Sequence, residues 1–270
     1  MLTSLRGPTA VILAAASFVF VTPVSAQDAP APADQATPKT DVLASTEEPA
    51  SPFTVTGSVG VVTDYRFRGV SLSGGDPAIQ GGATITHESG FYVGTWGSSI
   101  DDGGTGVYGD VELDIFGGWS GSLSEGIGLD VGLLYYAYPS NAAGADGEYF
   151  EPYATLTGTF GPVQAKLGVA YAWEQDSLGD NDNLYLFTKL STGIPGTPIS
   201  LNAGLGYTDG ALAPPLLAGT ADETGFDWTV GASVTVLGNV SLGVAYTGVE
   251  GPSLDGFTDD AVVGSLTFTF

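Results

Sequence analysis

The chain of 270 residues carries six basic and 30 acidic side chains, a formal net charge of −24, which argues against nucleic acid as a partner because binding it requires basic neutralisation of phosphates. Cysteine is absent, so there is neither a disulfide framework nor a thiolate metal site. The 41 glycines are about twice the usual share, and with many Tyr, Thr and Val they point to strand-and-turn chemistry.

Near the start, Arg6 precedes an apolar run from Ala10 to Val21, then Pro23 and the small residues Val24-Ser25-Ala26. This reads as a secretory signal peptide over residues 1–26, since the run falls short of the roughly 20 residues a spanning helix needs. Residues 27–52, rich in Ala and Pro and without apolar periodicity, read as a disordered linker.

From Phe53 to Phe270 the chain alternates apolar and polar residues in twelve runs separated by Gly, Pro, Asn and Asp clusters. They are Thr54–Arg68, Ile79–His87, Phe91–Asp101, Val107–Trp119, Ile127–Tyr138, Tyr149–Phe160, Val163–Trp173, Leu184–Thr192, Ile199–Thr208, Phe226–Val236, Val240–Thr247 and Asp260–Phe270. No window there is apolar enough for a spanning helix, so a chain that enters a membrane must do so as a closed barrel. The expected fold is all-β, a transmembrane antiparallel up-and-down β-barrel of about 12 strands over residues 53–270.

A barrel in lipid requires strand charges to lie opposite the lipid-facing apolar set. Asp64, Arg66 and Arg68 share a parity opposite Val55, Val59, Val61 and Tyr65; Asp110, Glu112 and Asp114 alternate with Val111, Leu113 and Ile115. Asp130, Glu151, Lys166 and Asp227 obey the same rule, and Lys189 is assigned inward by assumption. These eleven residues are the candidate pore-lining set. Tyr65, Trp119, Tyr135, Tyr171, Trp173 and Tyr207 are expected in the interfacial aromatic girdles.

With both termini in the periplasm, tight turns follow His87 and fall at Gly161-Pro162, Gly193–Pro198 and Gly238-Asn239, while the intervening connections are mostly longer. Two depart from the pattern: 102–106 is short for an external loop and 120–126 long for a periplasmic turn. The ending LTFTF places Leu266, Phe268 and Phe270 on one face and resembles the signal read by the barrel-assembly machinery.

The stretches DYRFRGVSLSGGDPAIQGG, residues 64–82, and SGFYVGTWGSSID, residues 89–101, resemble the TorF family of proteobacterial outer-membrane proteins regarded as porins, with weaker echoes in ELDIFGGW, YYAYP and DWTVGASV. That resemblance implies an outer-membrane barrel and a solute channel, and it brings no catalytic residues.

The function expected is a porin-like channel of the Gram-negative outer membrane for passive diffusion of small solutes. Acidic lumen residues outnumber basic ones, so weak cation preference is expected. The expected partners are outer-membrane lipid, lipopolysaccharide and the assembly machinery, with no cofactor. A non-conducting structural or adhesive barrel is the alternative, and a soluble β-sandwich is the alternative fold. Arg66 and Arg68 would either form a constriction against the acids or brace a filled barrel with ion pairs. Acid clusters at Asp101-Asp102 and 255–260 suit calcium chemistry but lack EF-hand spacing. The lone histidine, His87, is the weak basis for an enzyme reading.

Overall fold

The computed structural model describes residues 51–270; the expected signal peptide and all of the linker up to residue 50 lie outside the described residues. Twelve long strands form one closed antiparallel barrel: β1 (Phe53–Val62), β4 (Ala78–His87), β5 (Phe91–Ser99), β6 (Val111–Ser124), β7 (Ile127–Ala137), β8 (Tyr149–Phe160), β9 (Val163–Gln175), β10 (Asn181–Gly193), β11 (Ile199–Gly210), β12 (Thr224–Val236), β13 (Val240–Val249) and β14 (Ala261–Thr269). Each pairs with its sequence neighbour along the barrel, and β14 closes on β1 from Ser58–Thr269 to Val62–Ser265. A small hairpin of β2 (Arg66–Phe67) and β3 (Val70–Ser71) forms a separate two-stranded sheet.

Side chains alternate across the wall with the period of two that the pleat imposes. On β7, Leu133 is 43% exposed while the next residue, Leu134, is 1% exposed. Val55, Val93, Leu167, Val230 and Val262 likewise point outward, and together with their neighbours they form an apolar belt around the closed surface. Soluble monomers do not display such a belt, whereas lipid requires one with every strand edge paired. The β-sandwich is excluded: there is one closed sheet, apolar outside and charged within.

Each sequence-derived strand has its counterpart in the barrel, with two errors of extent: the run from Val107 enters the wall only at Val111, and the other is more informative. The run from Thr54 to Arg68 does not continue in the wall, because β1 stops at Val62. After Thr63, whose N–H donates to Gly264 O at 2.9 Å, the chain turns back into the lumen. Tyr65, expected in the lipid-facing girdle, is 1% exposed and packs inside against Trp96. Trp173 and Tyr171 do face outward near the loop-bearing rim. The beginnings of β1 and the end of β14 lie at the opposite rim, which carries the tight turns.

Candidate solute pathway

Residues 63–77 build the principal feature of the lumen. Phe67 pairs with Val70, so Arg68 and Gly69 form a two-residue hairpin turn. Both have positive φ, 45° and 80°, as a type I′ turn requires. Gly69 is needed twice over, for its φ and because a β-carbon there would strike Val249 and lie 2.9 Å from Gly248 O. The loop is pinned at its base. The Ser71 hydroxyl donates to Asp64 Oδ1 at 2.6 Å, Leu72 N donates to Tyr65 O at 2.7 Å, and Ser71 N donates to Phe257 O at 2.8 Å.

The two arginines of this loop do different work. Arg66 lies sideways under the loop rim, paired with Asp64 and with Asp259 at 3.0 Å. Arg68, at the tip, crosses the lumen and meets Glu151 of β8, its Nη2 lying 2.7 Å from Oε1 and 2.8 Å from Oε2. The Tyr136 hydroxyl donates to the same carboxylate at 3.0 Å. The guanidinium carbon lies 4.1 Å from the Tyr185 ring centre and 4.4 Å from that of Phe67, a cation–π arrangement. The loop thereby fills the barrel half nearest the loop rim with Tyr65, Phe67, Arg68, Val70 and Leu72, all buried.

Behind the loop, Glu112 and Asp114 of β6 are fully buried beside a layer of tyrosines. Tyr136 and Tyr149 stack at 4.3 Å, and Tyr108 meets Tyr138 edge-on at 4.7 Å. The carboxylate oxygens of Glu112 and of Asp114 lack hydrogen-bond partners among the described residues. On β12, Asp227 Oδ1 accepts from Tyr185 at 3.3 Å, and the pair occupies space that a side chain at Gly206 would fill.

Beside and below the hairpin is a cavity of about 390 Å³, bounded by Asp64, Arg66, Arg68, Glu151, Lys189 and Asp227 among others. Six of the eleven candidate residues therefore surround one space. Asp130 and Lys166 sit deeper: Asp130 accepts from Tyr92, which also hydrogen-bonds Tyr153, and Lys166 faces Lys189 across the β9–β10 pair. Lys189 projects into the lumen from the parity of Asn183, Tyr185 and Phe187, as assumed, and it remains exposed because the lumen there is open. Glu112 and Asp114 face inward but lie behind the loop, away from this cavity. Asp110 is corrected, since it precedes β6 and is exposed at the rim.

The inward tyrosines were absent from the candidate set. Their signal was available in the same alternation, because Tyr136, Tyr149, Tyr153 and Tyr185 share the parity of the inward charges on their strands.

A model of a family of bacterial proteins of unknown function (Gcw_chp) matches residues 46–269. No curated protein is significantly similar to this chain. Among solved structures, the COG4313 outer membrane channel from Pseudomonas putida F1 aligns over 85% of this chain and 99% of its own, at 13% identity and a TM-score of 0.46. LpxR from Salmonella typhimurium aligns over 80% and 100% at 10% identity and a TM-score of 0.46. A porin refined at 1.8 Å aligns over 81% and 100% at 10% identity and a TM-score of 0.39.

Proposed function

The chain belongs to the Gcw_chp family, and from that premise we propose that it is an outer-membrane channel for passive passage of small polar solutes, with its outer half closed at rest by loop 63–77. The observation that carries this reading is the cavity of about 390 Å³ inside a lipid-facing barrel, bounded by charges of both signs. Buried ionic groups are expensive to desolvate, which favours a working lumen over a scaffold that apolar side chains could fill. The resemblance of residues 64–82 and 89–101 to the TorF porins supports the same reading. Twelve strands lie between the eight that side chains fill and the 16 that leave a water channel, so a movable segment decides whether the pore is open.

The N-terminal signal pattern supports export, and the tight turns at the rim that carries the chain ends support an orientation with the termini in the periplasm and the longer loops outside. Outer-membrane lipid, lipopolysaccharide and the assembly machinery are the partners proposed with that location, the last reached through Leu266, Phe268 and Phe270. The protein is proposed as a non-enzyme: Nδ1 of His87 accepts the Ser89 N–H at 3.1 Å and contacts the Ser89 hydroxyl at 2.7 Å, which makes the imidazole a cap of its own turn.

The filled outer half favours a second reading, a permanently closed structural or adhesive barrel. Single-channel recording of the refolded protein separates the two. The channel reading expects rare small openings in the native protein and frequent larger ones in Arg68→Ala, with cation over anion preference that weakens as salt rises from about 0.01 to 1 M and the Debye length shrinks from roughly 30 to 3 Å. A folded Arg68→Ala barrel that stays silent establishes the structural reading.

A further inference from the structure

We propose that the barrel wall around Glu151 is a binding site for guanidinium solutes, and that Arg68 occupies it as a tethered stand-in for them. This deepens the channel reading by naming the class of solute.

The distinction between loop and wall carries the argument. Arg68 is contributed by the inward loop, but the groups that recognise it belong to the wall: the Glu151 carboxylate, the Tyr136 hydroxyl that orients it, and the Tyr185 ring. All three would remain in place if the loop withdrew. The wall would then present Glu112, Asp114, Glu151 and Asp227, with Lys189 the nearest wall cation. Both oxygens of Asp114 and Oδ2 of Asp227 lack hydrogen-bond partners among the described residues, and so do Nε and Nη1 of Arg68, so Arg68 reaches the wall only through Nη2 and leaves its other carboxylates unmet. Buried carboxylates in that condition favour any cation that reaches them.

The site also has room for more than a guanidinium head. The adjoining cavity of about 390 Å³ touches Arg68, Glu151, Tyr185 and Asp227, within the range of small-molecule pockets. A planar guanidinium fits best, since it can fork onto Glu151 and stack on Tyr185 together. The tether makes Arg68 a competitor at an effective concentration on the order of millimolar, so a free solute displaces it in that range. Displacement would free the hairpin and couple solute arrival to opening.

The test is calorimetric titration of agmatine, which carries both a guanidinium and a primary ammonium, into the full-length barrel in detergent. Its neutral-headed ureido analogue, carbamoylputrescine, is the control. Arg68→Ala should bind agmatine severalfold more tightly than the native protein and more tightly than it binds the analogue. Arg68→Ala/Glu151→Gln should lose that binding, and Arg68→Gln should repeat the gain if alanine disturbs the loop. Unchanged affinity on removing Arg68, equal affinity for the two ligands, or binding that survives Glu151→Gln would each overturn the proposal. Bilayer current judges the channel reading separately: binding without current sinks that reading alone, and current without binding sinks this site alone.

Discussion

Arg68 is held in a backbone region that costs a side-chain-bearing residue about 1–3 kcal/mol, at φ 45°, and it is placed there with its charge opposite Glu151. Removing one partner of a buried ion pair costs about 3–5 kcal/mol when the other stays dry, so the loop and Glu151 stabilise each other's burial. Asp102 plays a comparable part in the connection between β5 and β6. Its partial burial acts to raise its pKa, yet the N–H groups of Gly109, Tyr108 and Gly104 and the Thr105 hydroxyl outweigh this and hold the carboxyl below its ordinary value of 3.8. A lowered folded-state pKa means the stabilisation is full above about pH 3.8 and is lost as pH falls through the lower folded value. Amide protection in residues 102–110, measured against the intrinsic exchange rate at each pH, should therefore fall below that pH in the native protein. In Asp102→Asn the loss of protection should be present already at neutral pH, at about 1 kcal/mol; exchange equal to native at pH 7 would contradict the assignment.

At the scale of elements, the hairpin β2–β3 depends on its turn more than on its two short strands. Gly69→Ala places a methyl against Val249 and Gly248 O in a backbone region that disfavours it. The expected outcome is release of the loop with the barrel intact. Deuterium uptake over residues 64–73 should rise while the wall strands stay protected, and uptake identical to native would show that the tip has more room than the geometry allows. The wall itself was legible in the sequence, because lipid on one face and charge on the other force a period of two on every strand. The hairpin was not legible, because it alternates as well: Asp64, Arg66 and Arg68 continue the parity of β1 into a segment that has left the wall. The signals of departure were the adjacent Arg68-Gly69 and Gly74-Gly75, which a wall strand would not need and a tight inward loop does. Parity also identified the inward side of Glu151, Asp227 and Lys189 without telling which charges meet. The contact between Arg68 and Glu151 joins residues 83 apart in sequence and arises only when the loop folds across the barrel.

Across the whole molecule, the distribution of charge is lopsided in a way that can be read with a protease. Among the described residues the only lysines and arginines are Arg66, Arg68, Lys166 and Lys189. Lys166 and Lys189 lie in the ladders of β8, β9 and β10, where the backbone is held extended inside a closed wall too narrow for trypsin. Arg66 and Arg68 lie beneath the connection between β13 and β14, tied to Gly69 O, Asp259 and Glu151. The folded barrel should accordingly survive trypsin as a single fragment, although the unfolded chain offers four cleavage points in the same span. The variants turn this protection into a map of what opens. If Gly69→Ala frees only the hairpin, trypsin cuts after Arg66 and Arg68 and spares Lys166 and Lys189, leaving a nicked barrel that separates into pieces only on boiling in detergent. If the substitution instead loosens the wall, all four sites are cut together. The first pattern means that the loop is a separable closure on a stable pore, as the channel reading requires. The second means that the loop is part of the barrel's core, and that the closed, structural reading is the correct one.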